Sequence, residues 1–344
     1  MEDFDVAGIE VSSESFLVRV VRHGRLGSPQ TFPNTVEGRL AILRLLTRSG
    51  ARVRVCLEST GLYGLDLALA LHEKAVIEVM VANPRSVRHF GEAMMQRSKT
   101  DPLDAALLCE YAARMPFQRW QPPTLTARQL CAITRQIHAL TVMSTMDKNR
   151  LHAANLSETT PKIVRDELER NLAAQKASIG RLTRAALKLI DTDPELKRRF
   201  ALLVNGPQKA PGIAQTSALQ ILGELVLLGP DFNVHQWVAY AGLDPREYQS
   251  GKSVHKKVRI SKVGNAHLRR ALYMPALVAV RCNAYFRAFY QHLLAKGKLK
   301  MVALVAAMRK LLHALYAMMK YNQPFDGSKL FPNACPPLSE ATRA

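Results

Sequence analysis

The rhythm of apolar and polar positions changes once near residue 120, and that change organises the chain. Before it, short apolar runs alternate with helix-length stretches. Residues 4–11 and 15–22 have strand character, the second run being rich in Val and Phe, and Gly24-Arg25 begins a turn. Residues 40–48 have helical spacing. Val53-Arg54-Val55-Cys56-Leu57 alternates as a strand does and ends at Glu58. Residues 63–74 predict a helix, 76–81 an apolar strand closed by Asn83-Pro84, and 102–114 another helix. Strands alternating with helices imply a layered α/β domain whose sheet edge can carry a site.

Trp120-Gln121-Pro122-Pro123 breaks this pattern and marks a domain boundary. Beyond it, Leu130, Ile133, Ile137 and Leu140 recur at helical spacing. After Thr160-Pro161 so do Val164, Leu168, Leu172, Ile179, Leu182 and Ile190. Two long amphipathic helices joined near 157–161 would form a helical hairpin or a coiled coil. An oligomerisation arm and an ordinary helical subdomain both fit that pattern. From 201 to 332 the chain has a mostly helical pattern, interrupted by one irregular basic stretch at 245–265. Residues 333–344 form a loose tail. The expected division is 1–120, 121–200, 201–332 and 333–344.

Composition narrows the choice of partner. Lys and Arg outnumber Asp and Glu by 48 to 28, a formal net charge of +20 on 344 residues. Cations placed on phosphates release condensed counterions, so such an excess points to a nucleic acid. The opening Met1-Glu2-Asp3-Phe4-Asp5 is acidic where a secretory leader is basic. The most apolar stretch, 301–321, carries Arg309, Lys310 and His313 and has the pattern of an amphipathic helix, so no membrane partner is expected. Five cysteines, none at metal-ligand spacing, fit free thiols in a reducing cytosol.

Four carboxylates fall where structure breaks. Glu10 lies late in the first strand and Glu58 ends a later one. Asp101 and Asp104 open a helix after Arg97-Ser98-Lys99-Thr100, three residues apart and therefore on one face. Such a cluster suits hard divalent cations in two-metal phosphoryl transfer. Taken singly, each has a plainer role: Asp101 as a helix cap, Asp104 as a first-turn acid, Glu58 as a solvated strand end.

A second stretch, Gly242-Leu243-Asp244-Pro245-Arg246-Glu247-Tyr248-Gln249-Ser250-Gly251-Lys252-Ser253, continues through His255, Lys256, Lys257, Arg259 and Lys262 to Gly264-Asn265. Dense cations broken by Gly and Ser fit a phosphate backbone. Ser250, ringed by cations, is either a nucleophile, a turn residue or a simple phosphate contact. Upstream, Ala210-Pro211-Gly212-Ile213-Ala214 before an apolar helix is similar to a helix-hairpin-helix element, or is a plain packing unit.

These blocks, in this order, resemble the DEDD transposases of the bacterial insertion-sequence 110 family, relatives of the pilin-gene invertases. The resemblance runs from about Val6 to about Tyr321. It is carried by Gly8-Ile9-Glu10-Val11-Ser12, by Leu57-Glu58-Ser59-Thr60-Gly61 and by Ser98-Lys99-Thr100-Asp101-Pro102-Leu103-Asp104-Ala105. It continues in Tyr240-Ala241-Gly242-Leu243-Asp244-Pro245, Ser250-Gly251, Ile260-Ser261-Lys262-Val263-Gly264-Asn265 and Leu268-Arg269-Arg270-Ala271-Leu272. It implies an α/β RuvC-like, ribonuclease-H-type domain, then a helical coiled-coil arm, then a mainly α transposase domain.

By position, the resemblance implies that Glu10, Glu58, Asp101 and Asp104 bind Mg2+ (or Mn2+) and that Ser250 is the nucleophile. Lys99, Lys252, His255, Lys256, Lys257, Arg259, Lys262, Arg269 and Arg270 are the expected nucleic-acid contacts. The implied partners are donor and target DNA, a structured noncoding guide RNA, and further copies of the chain in a dimer or tetramer, with domains of different protomers composing one active site. The implied setting is the cytoplasm, at the nucleoid. One position departs from the pattern: the family has Asp where this chain has Glu10, one methylene longer. The expected activity is cutting and rejoining of DNA. The alternatives are a metal-dependent junction resolvase using water and an inactive DNA-binding derivative.

Overall fold

In the computed structural model the described residues are 4–330, apart from 60, 97, 99, 207, 230 and 251–253, with only the backbone described at 250 and 254–257. The expected tail and Cys335 lie outside them. The chain divides into two compact units, Met1–Pro122 and Pro123–Ala344.

The first unit is built on one mixed sheet. Strand β1 (Asp5–Val11) runs antiparallel to β2 (Ser15–Arg22), which also pairs with the short β3 (Arg25–Leu26) and β4 (Gln30–Pro33). On its other edge β1 pairs in parallel with β5 (Val53–Glu58), and β5 with β6 (Ile77–Ala82). The order is therefore β3-β2-β1-β5-β6, antiparallel on one side of β1 and parallel on the other. Helices α1 (Val36–Thr47), α2 (Leu65–His72), α3 (Pro84–Ala93) and α4 (Asp101–Arg114) complete the unit.

Strand alternation sorts the side chains into two layers. Ile9, Phe16, Val18, Leu57 and Val79 pack with Ile42 and Leu46 of α1 and Leu67 and Leu71 of α2. On the opposite face Cys56, Met80 and Ala82 pack with Val87 of α3 and with Leu108 and Ala112 of α4. Gly8 and Glu10 share this second face. A Cβ at Gly8 would lie 2.0 Å from the Ala105 carbonyl oxygen and 2.7 Å from the Cys109 nitrogen, so glycine lets α4 rest directly on β1.

Away from the strand ends that bear Glu10 and Glu58, buried carboxylates are neutralised by arginine. Glu78 takes Arg52 at 2.9 Å, Arg54 at 3.1 Å and Arg119 at 2.6 Å. Asp5 takes Arg22 at 3.1 Å.

The second unit begins with the expected helical hairpin, α5 (Leu125–Leu156) and α6 (Lys162–Thr192), which pack along their length. There follow α7 (Pro194–Val204), α8 (Gln215–Leu225), α9 (Val234–Ala241), strands β7 (Pro245–Ser250) and β8 (Val254–Ile260), then α10 (Ala266–Cys282), α11 (Ala284–Ala295) and α12 (Lys300–Tyr321). Their core includes Leu203, Leu219, Leu222, Leu268, Leu272, Phe286, Leu311 and Leu315. By length and hydropathy α12 could span a membrane, but half of its most apolar window is buried within the protein.

Two expectations are corrected. The stretch at 245–265 is irregular only in part, because Pro245–Ser250 and Val254–Ile260 pair as antiparallel strands with a register shift between Arg246 and Tyr248, while 261–265 has no regular element. Residues 246–249, 258 and 259 are exposed, so neither face shows an apolar alternation to reveal it. Asp101 is not a helix cap: Thr100 holds that position and Asp101 is the first helical residue.

Candidate active site

Parallel register brings two of the acids together. Ile9 lies opposite Leu57, so Glu10 and Glu58 follow side by side at the carboxyl ends of β1 and β5 and on the same face. Ligand sites of α/β sheets favour such strand ends. Asp104, in the first turn of α4, faces the same space. Glu10, Glu58 and Asp104 all line an open cavity of about 850 Å³. Asp101 is exposed and is not among the residues lining it. Among the described residues no three His, Cys, Asp or Glu side chains are gathered tightly enough to hold one ion. The acids therefore border a cavity rather than form a finished cage.

The cavity has a second wall that the sequence pattern did not reveal. Helix α3 contributes Pro84, Arg85, Val87, Arg88, His89, Gly91 and Glu92. Asn83 caps this helix by accepting from the Arg85 N–H, and Pro84 occupies its first turn. That Asn-Pro pair was the available signal, since Pro favours the first helical position. Cys56 and Cys109 lie under the sheet face of the site. Burial, the largest cause for both, pushes each thiol up to about 12, so they stay protonated and are poor nucleophiles at neutral pH.

In the second unit the family-like motifs interlock at the root of the β7–β8 hairpin. The Ser261 hydroxyl donates to Asp244 at 2.6 Å, and Asn265 N–H donates to the Tyr240 carbonyl at 2.6 Å. Gly242 has φ +64° and Gly264 φ +121°. A Cβ on Gly264 would lie 2.4 Å from the Tyr240 carbonyl oxygen. The Asn265 side chain accepts from Leu268 N–H to cap α10 and donates to Glu224 at 2.6 Å. Glu224, 2% exposed, also receives both arms of Arg135 at 2.8 Å. Burial alone would raise its pKa; the bonds from Arg135 and Asn265 outweigh that and hold it below the usual carboxylate range.

Ser250 is the last residue of β7, its backbone paired with Val254. Its side chain, those of His255, Lys256 and Lys257, and all of Lys99 and Lys252 lie outside the described residues. Arg259, Lys262 and Arg270 are exposed. Arg269 is half-buried and donates to the Ala241 carbonyl at 2.9 Å, which fastens the loop before the hairpin. In the helix-hairpin-helix-like turn, a Cβ on Gly212 would lie 2.1 Å from the Pro275 carbonyl oxygen, so this turn packs against α10.

Two relatives match this chain almost end to end. The pilin gene-inverting protein of Moraxella lacunata is 30% identical over 331 residues, covering 93% of this chain and 97% of its own. That of Moraxella bovis is 30% identical over 328 residues, with the same coverage. An uncharacterised insertion element IS110 protein of Streptomyces coelicolor shares 32% identity over 82 residues, 24% of this chain and 20% of its own. A DEDD transposase model of the IS110 type matches residues 7–161, over most of the first unit and α5. The model described as transposase IS116/IS110/IS902 family matches residues 208–291, over the hairpin and its root. The chain belongs to the IS110 family of transposases, enzymes that recombine DNA.

Proposed function

We propose that this transposase works by serine-dependent strand transfer at a metal-bearing acidic site in an RuvC-like domain, with Glu10, Glu58, Asp101, Asp104 and Ser250 as its working residues. One observation carries the reading: Glu10, Glu58 and Asp104 line one cavity at the carboxyl ends of parallel strands. The mixed order β3-β2-β1-β5-β6, with helices on both faces, supports a ribonuclease-H-type assignment. The packed α5–α6 hairpin supports a coiled-coil arm.

The donor set suits a hard divalent cation such as Mg2+ or Mn2+, because carboxylate oxygens are its preferred ligands. Glu10, Glu58 and Asp104 line the cavity and would hold it, and the resemblance adds Asp101, the first residue of α4, as a fourth ligand. Such an ion, when bound, stabilises charge on the attacking and leaving oxygens of a phosphoryl transfer. Glu10 adds one methylene where the family has Asp, and its carboxylate reaches about 1.5 Å further from β1.

The Ser250 oxygen attacks the scissile phosphorus, its proton is lost, and the P–O bond to a DNA hydroxyl breaks as that oxygen takes up a proton. Attack by a second DNA hydroxyl reverses the step and returns the proton to Ser250. The phosphodiester energy is kept in the phosphoserine link, so rejoining needs no nucleotide hydrolysis. The cations flanking Ser250 in sequence suit the charged phosphate. Inversion, for which the Moraxella relatives are named, is a cut-and-rejoin reaction and fits such a link. Donor and target DNA, a structured noncoding guide RNA and further copies of the chain are the proposed partners.

Trapping on a denaturing gel tests this. Wild-type protein should leave a covalent adduct with labelled DNA, and Ser250→Ala should leave none while still binding DNA. Strand cleavage without any adduct in wild type would identify water as the nucleophile.

A further inference from the structure

We infer that Arg85 and Arg88 of α3 form a phosphate-binding wall facing the carboxylates, and that they hold the backbone of the DNA strand lying in the cavity. The inference rests on the reading of this cavity as the strand-transfer site.

Helix α3 is fixed on one side and charged on the other. Val87 is buried, and a Cβ on Gly91 would lie 2.9 Å from the Leu107 side chain, so α3 is seated against α4 a turn away from Asp104. Its outward positions 85, 88, 89 and 92 follow the i, i+3, i+4, i+7 spacing of a single helix face. Arg85, Arg88, His89 and Glu92 all line the cavity that Glu10, Glu58 and Asp104 line.

The wall is organised before DNA arrives. Arg88 Nε donates to Glu92 at 3.0 Å, His89 Nδ1 meets the other Glu92 oxygen at 3.0 Å, and Arg85 Nε bonds His89 Nε2 at 3.3 Å. Both guanidiniums bond through Nε, which leaves their terminal amino groups for a phosphate. Two guanidiniums against one carboxylate leave a positive excess on this helix face. The Arg88 side chain is 80% exposed and open to a ligand.

The physical need for such a wall is clear. A polyanionic strand entering a cavity lined by Glu10, Glu58, Asp104 and Glu92 meets repulsion, and the arginines of α3 offset it. Guanidinium groups match phosphate oxygens in pairs, whereas they carry no sequence information when bound to backbone. Arg85 and Arg88 thus set where the strand lies, and base choice is left to other parts of the assembly.

The salt dependence of DNA binding by the full chain tests this. Fluorescence anisotropy is followed on two labelled duplexes of unrelated sequence. Each phosphate left without its arginine should flatten the slope of log K against log salt by about 1. The Arg85→Ala/Arg88→Ala protein should therefore have a slope smaller by about 2, equally on both duplexes, with its melting temperature unchanged. An unchanged slope overturns the proposal, as does a flattening confined to one duplex. If the double variant unfolds, Arg88→Gln alone carries the test, with a slope smaller by about 1. Glu58→Gln separates the two readings. Normal strand cleavage by that variant would refute the active-site reading, whereas only the slope decides the wall.

Discussion

Replacing Gly8 with alanine tests how tightly the acidic site depends on the contact between β1 and α4. The added Cβ would sit 2.0 Å from the Ala105 carbonyl oxygen, 2.7 Å from the Cys109 nitrogen and 2.9 Å from the Leu108 Cβ. All three belong to α4, and they are backbone or Cβ atoms that no rotamer change can move. Restoring an ordinary 3.4 Å contact to the carbonyl requires α4 to withdraw by about 1.4 Å, because a packed interior has no slack to absorb it. Overpacking of this kind costs about 1–3 kcal/mol. For a unit of this size that lowers the melting temperature by several degrees. Asp104 moves with α4, while Glu10 stays on β1, so the acids separate by a similar distance. A displacement of about 1 Å at a reacting site reduces rate by roughly 100-fold. The assay pairs a thermal melt with plasmid recombination scored per amount of folded protein, and DNA binding should persist. Wild-type recombination by Gly8→Ala would refute the claim that this close approach positions Asp104. Gly180→Ala is the matched control. Its Cβ would meet only the Arg184 guanidinium at 3.9 Å within α6, so it should stabilise by about 0.5–1 kcal/mol and leave recombination intact.

Other outcomes follow from the second unit. Glu224→Ala strands Arg135 and unties Asn265, and should cost about 3 kcal/mol in a chemical denaturation curve; a cost under about 1 kcal/mol would mean the network is incidental. Gly264→Ala meets both a positive φ and the Tyr240 carbonyl. It should reduce recombination strongly while the far-ultraviolet circular dichroism changes little, and full activity would show that the hairpin root tolerates displacement. Stability should fall with acid in two stages. His138 and His267 are held below 6.5 by burial and then by Arg270 and Arg135 respectively, so they resist protonation in the folded state, and stability starts to fall as pH drops through that value. Glu224 and Glu78 are held below 4.5, so their contribution is complete above that pH and is lost as pH falls through their lower folded values. A melting temperature flat from pH 7 to 3 would contradict both assignments.

The sheet was legible where burial on one or both faces left an apolar signature. Residues 15–22 match β2, and the run ending at Glu58 matches β5. The α5–α6 hairpin was visible because its apolar stripe repeats over many turns. Helix α3 was missed because its outer face is arginine, histidine and glutamate and only Val87 and Gly91 are buried. The β7–β8 hairpin was missed for a related reason: its described side chains beyond the root are mostly exposed, so no alternation marks it. At the site, three of four acids share a cavity; the spacing of Asp101 and Asp104 put both on one face of α4, yet only Asp104 lines the cavity, and no spacing could suggest Glu10 beside Glu58. Their adjacency depends on parallel pairing between strands more than 40 residues apart, which no local pattern encodes.

The clasp at the hairpin root separates two kinds of selection. Asp244 with Ser261, Tyr240 with Asn265, and Gly242 with Lys262 close a ring of backbone before the strands leave the helical core. Inside the ring, substitutions are judged by folding, since Glu224, Asn265 and Gly264 tie four elements together. Outside it, residues are judged by what they bind. Apart from Ser250, sequence there can drift at little thermodynamic cost, because exposed substitutions away from packed features rarely move stability by more than about 0.5 kcal/mol. Provided Ser250 is kept, a lineage can vary the rest of that hairpin without unpicking the fold, and a protein engineer can exchange the segment between relatives by cutting at Asp244 and Ser261.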